Sequence, residues 1–439
     1  MRRIPDSLQS GMLFAVILLS VVLAVSCAKD RERPLTFAIG GTPSEFALWE
    51  KLMDRFQDET GIEVEVIRQP AGTDQRRQGL VIPLASRKSD PDVFLMDVVW
   101  IAQFAASGWL DPLEERARRD NLDLNAFFPG IIERVDLYGG RLIALPVLID
   151  GGVLYYRKDL LESRGLSPPE TWNELARIAV DIQNEERTTN PGFHGFVWQG
   201  AQYEGLVCNF LEVAGSNNGG IGFSNGKVVL DTPENRVAVL FMHDLPHRFR
   251  ISPPSVYTEM KEEEARLEFQ RGNALFERNW PYAWLLHESR GSAVKGKTGI
   301  AILPDFPSGR SVSTLGGWHV GISGFSDEKE KAWKLVRYLV SYKIQKEIAL
   351  EFGNTPGLMD LYDDPEILSV LPHFSKLKEV FQHALPRPTV PYYAQLSDSI
   401  QRRLNAALTG GISPAEALSL AERDARRIAD RYEKRSGAP

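Results

Sequence analysis

The stretch Leu35–Ile67, LTFAIGGTPSEFALWEKLMDRFQDETGIEVEVI, decides the fold class of this chain. Its opening run, LTFAIG, is typical of a short strand, and its closing run, IEVEVI, alternates apolar and acidic side chains as a half-exposed strand does. Between the two runs, apolar side chains recur at helical spacing, among them Phe46, Trp49 and Met53, and Gly61 marks the end of the helix. A strand, a helix and a second strand in this order predict a parallel sheet with helices on both faces.

The next segment repeats the pattern and places an acidic side chain at the end of a strand. Residues Asp92–Met96 are apolar after the first position and follow Pro91, which predicts a buried strand whose last step is Asp97. A helix is expected from Val98 to near Gly108. Ligands of parallel α/β sheets bind beyond the carboxyl ends of the strands, so Asp97 is expected at such a position.

The remainder of the chain continues the alternation of strands and helices. Further strands are predicted at 142–145, 153–156 and 300–303, with a turn at 150–152 and a surface loop at 215–226. Helices are predicted to begin at Thr171, to run from Ser326 to Gly353 and from 394 to 409, and to begin again after Ser413. Because no repeat or long linker is found, crossings between two halves of the chain should be short, near 146–150, 299–304 and 353–358.

Bulk composition is that of an ordinary globular protein. The 439 residues are 43% hydrophobic and 25% charged, and this length suggests two or three domains. The formal net charge is −7 and the isoelectric point is about 5.7. Such a balance lacks the basic footprint of a nucleic-acid-binding protein, so no nucleic-acid partner is expected.

The first residues carry the features of an export signal. Arg2 and Arg3 are followed by the apolar run Met12–Val25, which is too short to span a membrane comfortably. A small residue and then Cys27 come next, in a pattern that resembles a bacterial lipoprotein processing site. Residues 1–26 are therefore predicted to be a lipoprotein signal peptide, leaving a lipidated Cys27 and a mature charge of −8. An ordinary signal peptide with an incidental cysteine, or an uncleaved anchor, are the alternatives.

The sequence contains no convincing motif for catalysis, metal binding or nucleotide binding. The run GSAVKGKT at Gly291–Thr298 matches the phosphate-loop pattern, but a helix-like stretch precedes it and a strand follows, the reverse of the order that the motif requires. A turn is the expected structure there. The other cysteine, Cys208, lies in an apolar helical pattern and should be a buried, inert thiol. The seven histidines lack metal-ligand spacing, and neither a metal nor a cofactor is predicted.

Aromatic side chains occur together with single polar groups in four short segments. These are 198–204 (WQGAQYE), 279–284 (NWPYAW), 316–318 (GGW) and 387–395 (RPTVPYYAQ). An indole ring can cover the C–H face of a sugar, a carboxylate accepts from its hydroxyl groups, and arginine donates in a fixed fork. Each tryptophan could equally be a core residue, although Pro281 and the glycines before Trp318 favour turns at two of these positions.

Several long segments, taken together, resemble a known family. They include MDVVWIAQFAASGWLDPL, ALPVLIDGGVLYYRKDLL, FVWQGAQYEGLVCNFLE, NWPYAW, TLGGW and RPTVPYYAQLSD. The chain is similar in these segments to the extracellular solute-binding proteins of carbohydrate ABC importers, closest to the trehalose/maltose-binding branch. The resemblance implies a two-lobed α/β fold of the type II periplasmic-binding-protein class, each lobe a mainly parallel sheet flanked by helices and joined by a hinge. It places the first lobe at 27–146 and 303–353 and the second at 147–302 and 354–439.

The resemblance also implies which polar groups contact the ligand. Asp97 and Asp150 would accept hydroxyl hydrogens from opposite sides of the cleft. Glu45, at the start of the first helix, would do the same, with Ser44 as the competing assignment. Arg387 would donate to hydroxyl groups of a second sugar ring.

The apolar contacts implied by the resemblance come from two segments. Trp280 would stack on a sugar ring with Tyr282 beside it, and the backbone N–H of Gly317 and the ring of Trp318 would line the other face. This sequence has Gly151 where an alanine often follows the aspartate in the family.

The function implied is that of a monomeric, lipid-anchored substrate-binding protein rather than an enzyme. Located at the outer face of the cytoplasmic membrane or in the periplasm, it would capture a disaccharide by hinge closure. It would deliver the sugar to the transmembrane subunits of an ABC permease, whose ATPase is cytoplasmic. Two alternatives stay open: a binding protein for another sugar or a polyol, and an exported glycoside hydrolase that uses Asp97 and Asp150 as its carboxylate pair.

Overall fold

The structure is a computed structural model that describes residues 33–41, 43–70 and 72–436. The predicted signal peptide and Cys27 lie outside the described residues. Among the described helices, none combines the length and the apolar character needed to cross a lipid bilayer.

Fourteen strands occur in the described part of the chain. In chain order they are β1 Leu35–Gly40, β2 Val64–Gln69, β3 Val93–Asp97, β4 Leu137–Tyr138, β5 Arg141–Leu142, β6 Leu145–Gly151, β7 Val153–Arg157, β8 His194–Val197, β9 Gly222–Ser224, β10 Lys227–Val229, β11 Ala274–Asn279, β12 Thr298–Ala301, β13 Ser313–Ile322 and β14 Ala384–Leu385.

The α-helices surround these strands. They are α1 Pro43–Thr60, α2 Thr73–Ala85, α3 Ile101–Ala106, α4 Glu114–Arg119, α5 Lys158–Glu162, α6 Trp172–Glu186, α7 Glu204–Gly215, α8 Pro233–His247, α9 Ser255–Thr258, α10 Glu262–Gln270, α11 Ala283–His287, α12 Lys329–Leu339, α13 Tyr342–Phe352, α14 Pro365–Val370, α15 Phe374–Gln382, α16 Tyr393–Leu408 and α17 Pro414–Ser436. Short 3₁₀ turns at Leu124–Ala126 and Met359–Asp363 and a π-helical turn at Ile132–Asp136 complete the described helical structure.

Two larger sheets form the framework. The first has the strand order β14-β13-β3-β1-β2, with β6 on β13 as well, and the second has the order β12-β7-β11-β8. In the first sheet β1 is parallel to β2 and β3, whereas β13 is antiparallel to both β3 and β6. In the second sheet β11 is parallel to β8 but antiparallel to β7.

Three of the five strand pairings in the first sheet are parallel, as expected, whereas two of the three pairings in the second sheet are antiparallel. The chain passes directly from β6 in the first sheet to β7 in the second, with only Gly152 between them, and β13 later enters the first sheet from the other direction. Two parallel neighbouring strands need a crossover connection that returns to the same end of one sheet. The chain instead reaches β13 from the second sheet, and β13 is antiparallel to β3 and β6. The α/β class and the two-sheet division follow the sequence prediction.

The first strand–helix–strand unit forms as its residue pattern indicates. Trp49, Met53 and Phe56 on α1 are buried against the sheet. Strand β2 starts two residues later than expected, at Val64, because the N–H of Ile62 donates to the hydroxyl of Thr60 at 3.2 Å instead of joining the ladder. Parallel pairing of β1 with β2 then brings the carboxyl ends of both strands to the same edge.

The segment around residue 150 was predicted wrongly. A strand at 142–145 and a turn at 150–152 were expected, but Leu145–Gly151 forms one continuous strand. Its neighbour β13 supplies the ladder, pairing Gly316 with Asp150 and Leu315 with Gly151. The proline of this strand, Pro146, is accommodated where the register shifts beside His319, since a bulge releases the strand from regular pairing.

The long helix expected from Ser326 to Gly353 is two helices, α12 and α13. Ser341 interrupts them with an extended backbone and donates its hydroxyl to the carbonyl of Tyr338 at 2.7 Å. Ser326 does cap the chain locally, accepting from the N–H of Glu328 at 3.1 Å. Serine competes in this way with the helix ladder by bonding nearby backbone groups.

The phosphate-loop look-alike is a turn. Helix α11 precedes it and β12 follows it, and the N–H of Gly296 donates to the carboxylate of Glu288 at 2.8 Å. A backbone donor that a phosphate loop would use is thus already bound to a carboxylate. Cys208 is buried on α7, and burial raises the pKa of its thiol well above the ordinary range. The neutral thiol is unreactive.

Candidate ligand-binding site

Strand β13 places two carboxylates side by side. In the ladder, Asp97 on β3 pairs with Trp318, and Asp150 on β6 pairs with Gly316. Directly opposed residues share a face of the sheet, and so do residues two apart along one strand. Asp97 and Asp150 therefore flank β13 on the same face, one on each side.

Asp97 lies at the carboxyl end of β3, where the sequence placed it. Its Oδ1 accepts from the N–H of Val99 at 3.1 Å and from Nη2 of Arg387 at 3.2 Å. Burial raises the pKa of this carboxyl group, and the positive charge of Arg387 opposes that rise. The carboxylate is thus mostly enclosed, with a cation beside it.

Asp150 is hydrogen-bonded to Thr355, in the segment 353–358 where the third crossing between the halves was expected. Its Oδ1 accepts from the hydroxyl of Thr355 at 3.1 Å, and the backbone N–H of Ile149 donates to the carbonyl of Thr355 at 2.9 Å. Burial raises the pKa of Asp150 to about 6; the Thr355 hydrogen bond opposes the rise, and the nearby charge of Asp97 adds to it. Two enclosed carboxylates in one place are costly to ionise, which points to an arrangement kept for binding.

The raised pKa of Asp150 predicts a pH-dependent affinity for a hydroxyl-bearing ligand. Hydroxyl donors favour the ionised carboxylate, so the ligand should bind the ionised form more tightly. We expect the affinity, measured by titration calorimetry, to be constant above about pH 7 and to fall by up to about tenfold per pH unit below pH 6. In Asp150→Asn this dependence should disappear, and equal wild-type affinity on both sides of the window would contradict the assignment.

The stability of the ligand-free protein should change in the opposite direction. Because the folded-state pKa lies above the ordinary value of 3.8, the protonated form of Asp150 stabilises the fold. This contribution is complete below about pH 4 and is lost as the pH rises through 6. Thermal denaturation at a series of pH values, with Asp150→Asn as the reference, measures it.

Arg387 joins parts of the chain that are far apart in sequence. Its Nη1 donates to Glu204 at 2.8 Å, and its Nη2 donates to Asp97 at 3.2 Å and to the carbonyl of Leu315 at 3.4 Å. Only 3% of the side chain is exposed. Both ends of the guanidinium fork are thus bound to the protein, whereas Nε is buried and has no acceptor among the described residues. The expected role of Arg387, donation to hydroxyl groups of a sugar, therefore stays a prediction.

Glu204 received no specific role from the sequence. It is the first residue of α7, and its carboxylate accepts from the hydroxyl of Tyr393 at 2.6 Å and from the hydroxyl of Ser397. Its position at the end of the aromatic segment 198–204 and its place in the first turn of a helix were the available signals, but neither of them identifies a partner. The three-dimensional contacts make Glu204 the second anchor of Arg387.

Trp280 follows the end of β11 and lies beside Asp150. Its Nε1 is 3.4 Å from the carboxylate of Glu262, and the guanidinium of Arg278 lies 4.0 Å from the centre of its ring. The missing side chain of Gly316 leaves room between them, since a Cβ there would be 3.3 Å from both Trp280 Cζ3 and Asp150 Cβ. The indole is only partly buried, as a stacking surface for a ligand must be.

Tyr282 is less directly connected to the carboxylates. Its hydroxyl donates to Glu263 at 2.7 Å, on the first turn of α10. Burial raises the pKa of this phenol well above its ordinary value. Its expected place beside Trp280 fits the short separation in sequence, but no contact with Asp97 or Asp150 links it to the centre of the site.

Trp318 has a neighbour that the sequence did not identify. The guanidinium of Arg76 lies 4.5 Å from the centre of the Trp318 ring, and the ring centres of Trp318 and Trp100 are 5.7 Å apart in an edge-to-face arrangement. The carboxylates of Glu45 and Asp97 are the acidic groups that act on the charge of Arg76. Glu45, Arg76, Asp97 and Trp318 therefore form one neighbourhood. The competing assignment, Ser44, falls outside the described side chains.

Gly317 occupies a backbone conformation that requires glycine. Its φ is +135°, and a Cβ would lie 2.3 Å from the carbonyl oxygen of Leu148. Its own carbonyl accepts from the N–H of Val98 at 3.3 Å. At this close approach of β13 and β6, Gly316 pairs with Asp150 and Trp318 pairs with Leu148.

The side chains brought together form a polar cluster with two indole rings, at the junction of the two sheets. No group of three or more metal-binding side chains occurs in the part of the chain described. A two-sheet α/β fold with carboxylates, arginines and indoles at its junction is typical of a protein that binds a small polar molecule.

Comparison with known proteins agrees with this class. The model of the bacterial extracellular solute-binding proteins matches residues 40–346. A probable ABC transporter-binding protein of Deinococcus radiodurans is 36% identical over 423 residues, 95% of this chain and 99% of its own length. The chain therefore belongs to the bacterial extracellular solute-binding protein family, and the family predicted from the sequence is confirmed. It is a binding protein of an ABC transporter rather than an enzyme.

Two solved structures are similar over nearly their whole length. The maltose-bound MalE3 of T. maritima has a TM-score of 0.83 and 41% sequence identity, with 90% of this chain and 99% of that chain covered. An ABC transporter solute-binding protein of Thermotoga lettingae, bound with α-D-tagatose, has a TM-score of 0.80 and 28% identity, with 91% of this chain and all of that chain covered. The two-lobed fold predicted from the sequence is confirmed by this likeness.

Proposed function

We propose that this chain captures a disaccharide of the trehalose/maltose kind and delivers it to the transmembrane subunits of an ABC importer. One observation carries the proposal: Asp97 and Asp150 flank β13 on the face where Trp280 and Trp318 are found. Carboxylates accept hydroxyl hydrogens, and indole rings cover apolar C–H faces. An uncharged polyhydroxyl ligand has both features.

The two indoles suit a ligand with two rings. Trp280 is backed by Arg278 and Trp318 by Arg76, so each indole has one face covered by a guanidinium. Both side chains are only partly buried, so part of each is open to a ligand. The maltose carried by the MalE3 relative supports a disaccharide, whereas the tagatose in the Thermotoga lettingae protein favours a single sugar as the alternative.

Capture is proposed to proceed by closure of two lobes. The first lobe is assigned to 27–146 and 303–353 and the second to 147–302 and 354–439, with the crossings between them near 146–150, 299–304 and 353–358. A ligand that touches both lobes binds the closed form more tightly and shifts the population towards it. A shift from 1:99 to 99:1 requires about 5.5 kcal/mol of differential affinity. Hydrogen bonds to two or three charged groups, at about 1.5–3 kcal/mol each, are of the right size.

Export and anchoring complete the proposal. Lipidation of Cys27 would hold the mature protein, as a monomer, at the outer face of the cytoplasmic membrane or in the periplasm, where it meets the permease. The proposal rests on the sequence pattern of residues 1–27. Mass spectrometry of the mature N-terminus tests it, since an unmodified residue other than Cys27 at that end would exclude the anchor.

Titration calorimetry with a panel of sugars tests the ligand. Trehalose or maltose is expected to bind most tightly, ahead of sucrose, tagatose and mannitol, with the sugar recovered intact. In Trp280→Ala the affinity should fall at least about tenfold, roughly 1.4 kcal/mol, because the stacking surface is removed. Trp109→Ala, a change at a half-buried tryptophan packed on Phe104, is the matched control and should leave affinity unchanged. If a polyol such as mannitol binds most tightly, the proposal of a disaccharide ligand is wrong.

A further inference from the structure

A fully buried ion pair lies directly behind the proposed stacking surface. The Nε of Arg278 on β11 donates to Glu212 on α7 at 2.7 Å, its Nη2 donates to the other carboxylate oxygen, and both side chains are 1% exposed. Nη1 donates to Gln199 at 3.1 Å, and the amide of Gln199 donates back to the carbonyl of Arg278 at 2.8 Å. The guanidinium is thereby fixed in position and in plane.

The same ion pair contacts two of the segments that connect the sheets. The N–H of Thr314, at the start of β13, donates to Glu212 at 3.1 Å. The backbone of Gly152, between β6 and β7, passes so close that a Cβ would lie 2.0 Å from Glu212 Oε1 and 2.5 Å from Arg278 Nη2. The hydroxyl of Ser313 ties the two segments together by donating to the carbonyl of Gly152 at 2.7 Å.

Arg278 also supports the face of Trp280. Its guanidinium carbon is 4.0 Å from the centre of the indole ring, within the range of a cation–π contact. In a buried setting this contact is stronger than at the surface, because water does not compete for the cation. The position of the indole is therefore linked through one guanidinium to Glu212 and to both connecting segments.

The geometry points to Arg278 as a positioning residue that couples the sugar-stacking indole to the hinge. A ligand stacked on Trp280 presses the indole ring towards Arg278. Arg278 and Glu212 in turn contact the two connecting segments, at Gly152 and Thr314, and so hold them to the second lobe. Arg278 itself does not touch the ligand. This inference rests on the proposed function, because it assigns a role in sugar binding to a group behind the site.

The first test is Arg278→Lys, because lysine keeps the charge but lacks the planar fork that binds Glu212 while its central carbon lies 4.0 Å from the centre of the indole ring. Affinity for the tightest sugar of the panel is expected to fall by about three- to thirtyfold, the range of a buried cation–π contact. Arg157→Lys is the matched control, since Arg157 lies on β7 of the same sheet, forms a bidentate pair with Asp159 on α5, and is at the opposite end of β7 from the residue paired with Asn279. It should leave sugar affinity unchanged.

A second variant covers the case in which Arg278→Lys does not fold. Glu212→Leu combined with Arg278→Met removes both buried charges together, a replacement that is often neutral for stability. Its sugar affinity should fall by a similar factor. Sugar affinity equal to that of the wild type in either folded variant, even with a lower melting temperature, would show a purely structural ion pair and overturn the inference.

A double-mutant cycle separates positioning from a general effect. In a Trp280→Ala background, Arg278→Lys should no longer weaken sugar binding, since the indole through which it acts is absent. An equal loss in both backgrounds overturns the inference while leaving the proposed function intact. If the wild type binds no sugar at all, the proposed function fails. The near-ultraviolet circular dichroism of Trp280 then decides on positioning: a change in Arg278→Lys that is missing in the Trp280→Ala background supports it, and no change overturns it.

Discussion

Replacing Arg387 with methionine is expected to lower the free energy of unfolding by about 3–5 kcal/mol and to abolish measurable sugar binding. Arg387 is 3% exposed and donates to Asp97 and Glu204, which come from different parts of the chain. Without the guanidinium, two enclosed carboxylates face each other with no cation between them. Loss of one partner from a buried ion pair is costly because the remaining charge is neither hydrated nor paired.

Chemical denaturation and titration calorimetry measure these two effects. Arg403→Met is the matched control, since Arg403 forms an ion pair with Asp424 but is 36% exposed, and such pairs contribute at most about 1 kcal/mol. The destabilisation in Arg387→Met should shrink as the pH falls. The pKa of Asp97 is already raised by burial, and it should rise further when Arg387 is removed, so that protonation relieves the repulsion. A destabilisation no larger than that of Arg403→Met would contradict this account.

Replacing Gly317 with alanine is expected to separate β13 from β6 and to destroy the site. The added Cβ would lie 2.3 Å from the carbonyl oxygen of Leu148 and 2.8 Å from the Cα of Ile149, and φ at this position is +135°. Both neighbours are backbone atoms, so neither can move aside as a side chain could. Overpacking and backbone strain each contribute about 1–3 kcal/mol, which gives a loss of roughly 2–6 kcal/mol in the free energy of unfolding.

Sugar affinity should fall with stability in this variant. Separation of the two strands moves Asp150 on β6 away from Trp318 on β13 and from Asp97, which is paired with Trp318 at the other edge of β13. Gly192→Ala is the control, because the nearest atom to a Cβ there, Oδ1 of Asn190, is 3.6 Å away and the position carries no positive φ. Wild-type stability and affinity in Gly317→Ala would show that the strands are not closely joined at this point.

The fold was largely accessible from local patterns. The unit Leu35–Ile67 contains two strands and a helix because its apolar side chains recur at the periods of a strand and a helix. The predicted secondary structure was wrong where contacts with residues distant in sequence determine the backbone conformation. Residues 150–152 resemble a turn by composition, but the ladder with β13 keeps Asp150 and Gly151 in a strand. No local pattern reveals a partner that lies more than 150 residues away.

The candidate site was accessible only in part. Resemblance supplied Asp97, Asp150, Trp280, Trp318 and Arg387, and the structure places these side chains at one junction of the sheets. Arg76, Glu204 and Arg278 carried no such signal, since charged residues within helices and strands are common. Their roles depend on contacts across the fold: Arg76 on Trp318, Glu204 on Arg387, and Arg278 on Trp280.

By itself, the sequence determined the α/β class, the membership of the solute-binding proteins and the residue types suited to a polyhydroxyl ligand. Periodicity, composition and long matching segments depend only on residues that are near one another along the chain. The tertiary structure alone decided which groups are already occupied by the protein and which are left for a ligand. The guanidinium of Arg387 shows the reason: its two terminal nitrogens bind Glu204 and Asp97, 183 and 290 residues away. Hydrogen-bond partners at such separations are fixed by packing in space, and only the folded chain specifies them.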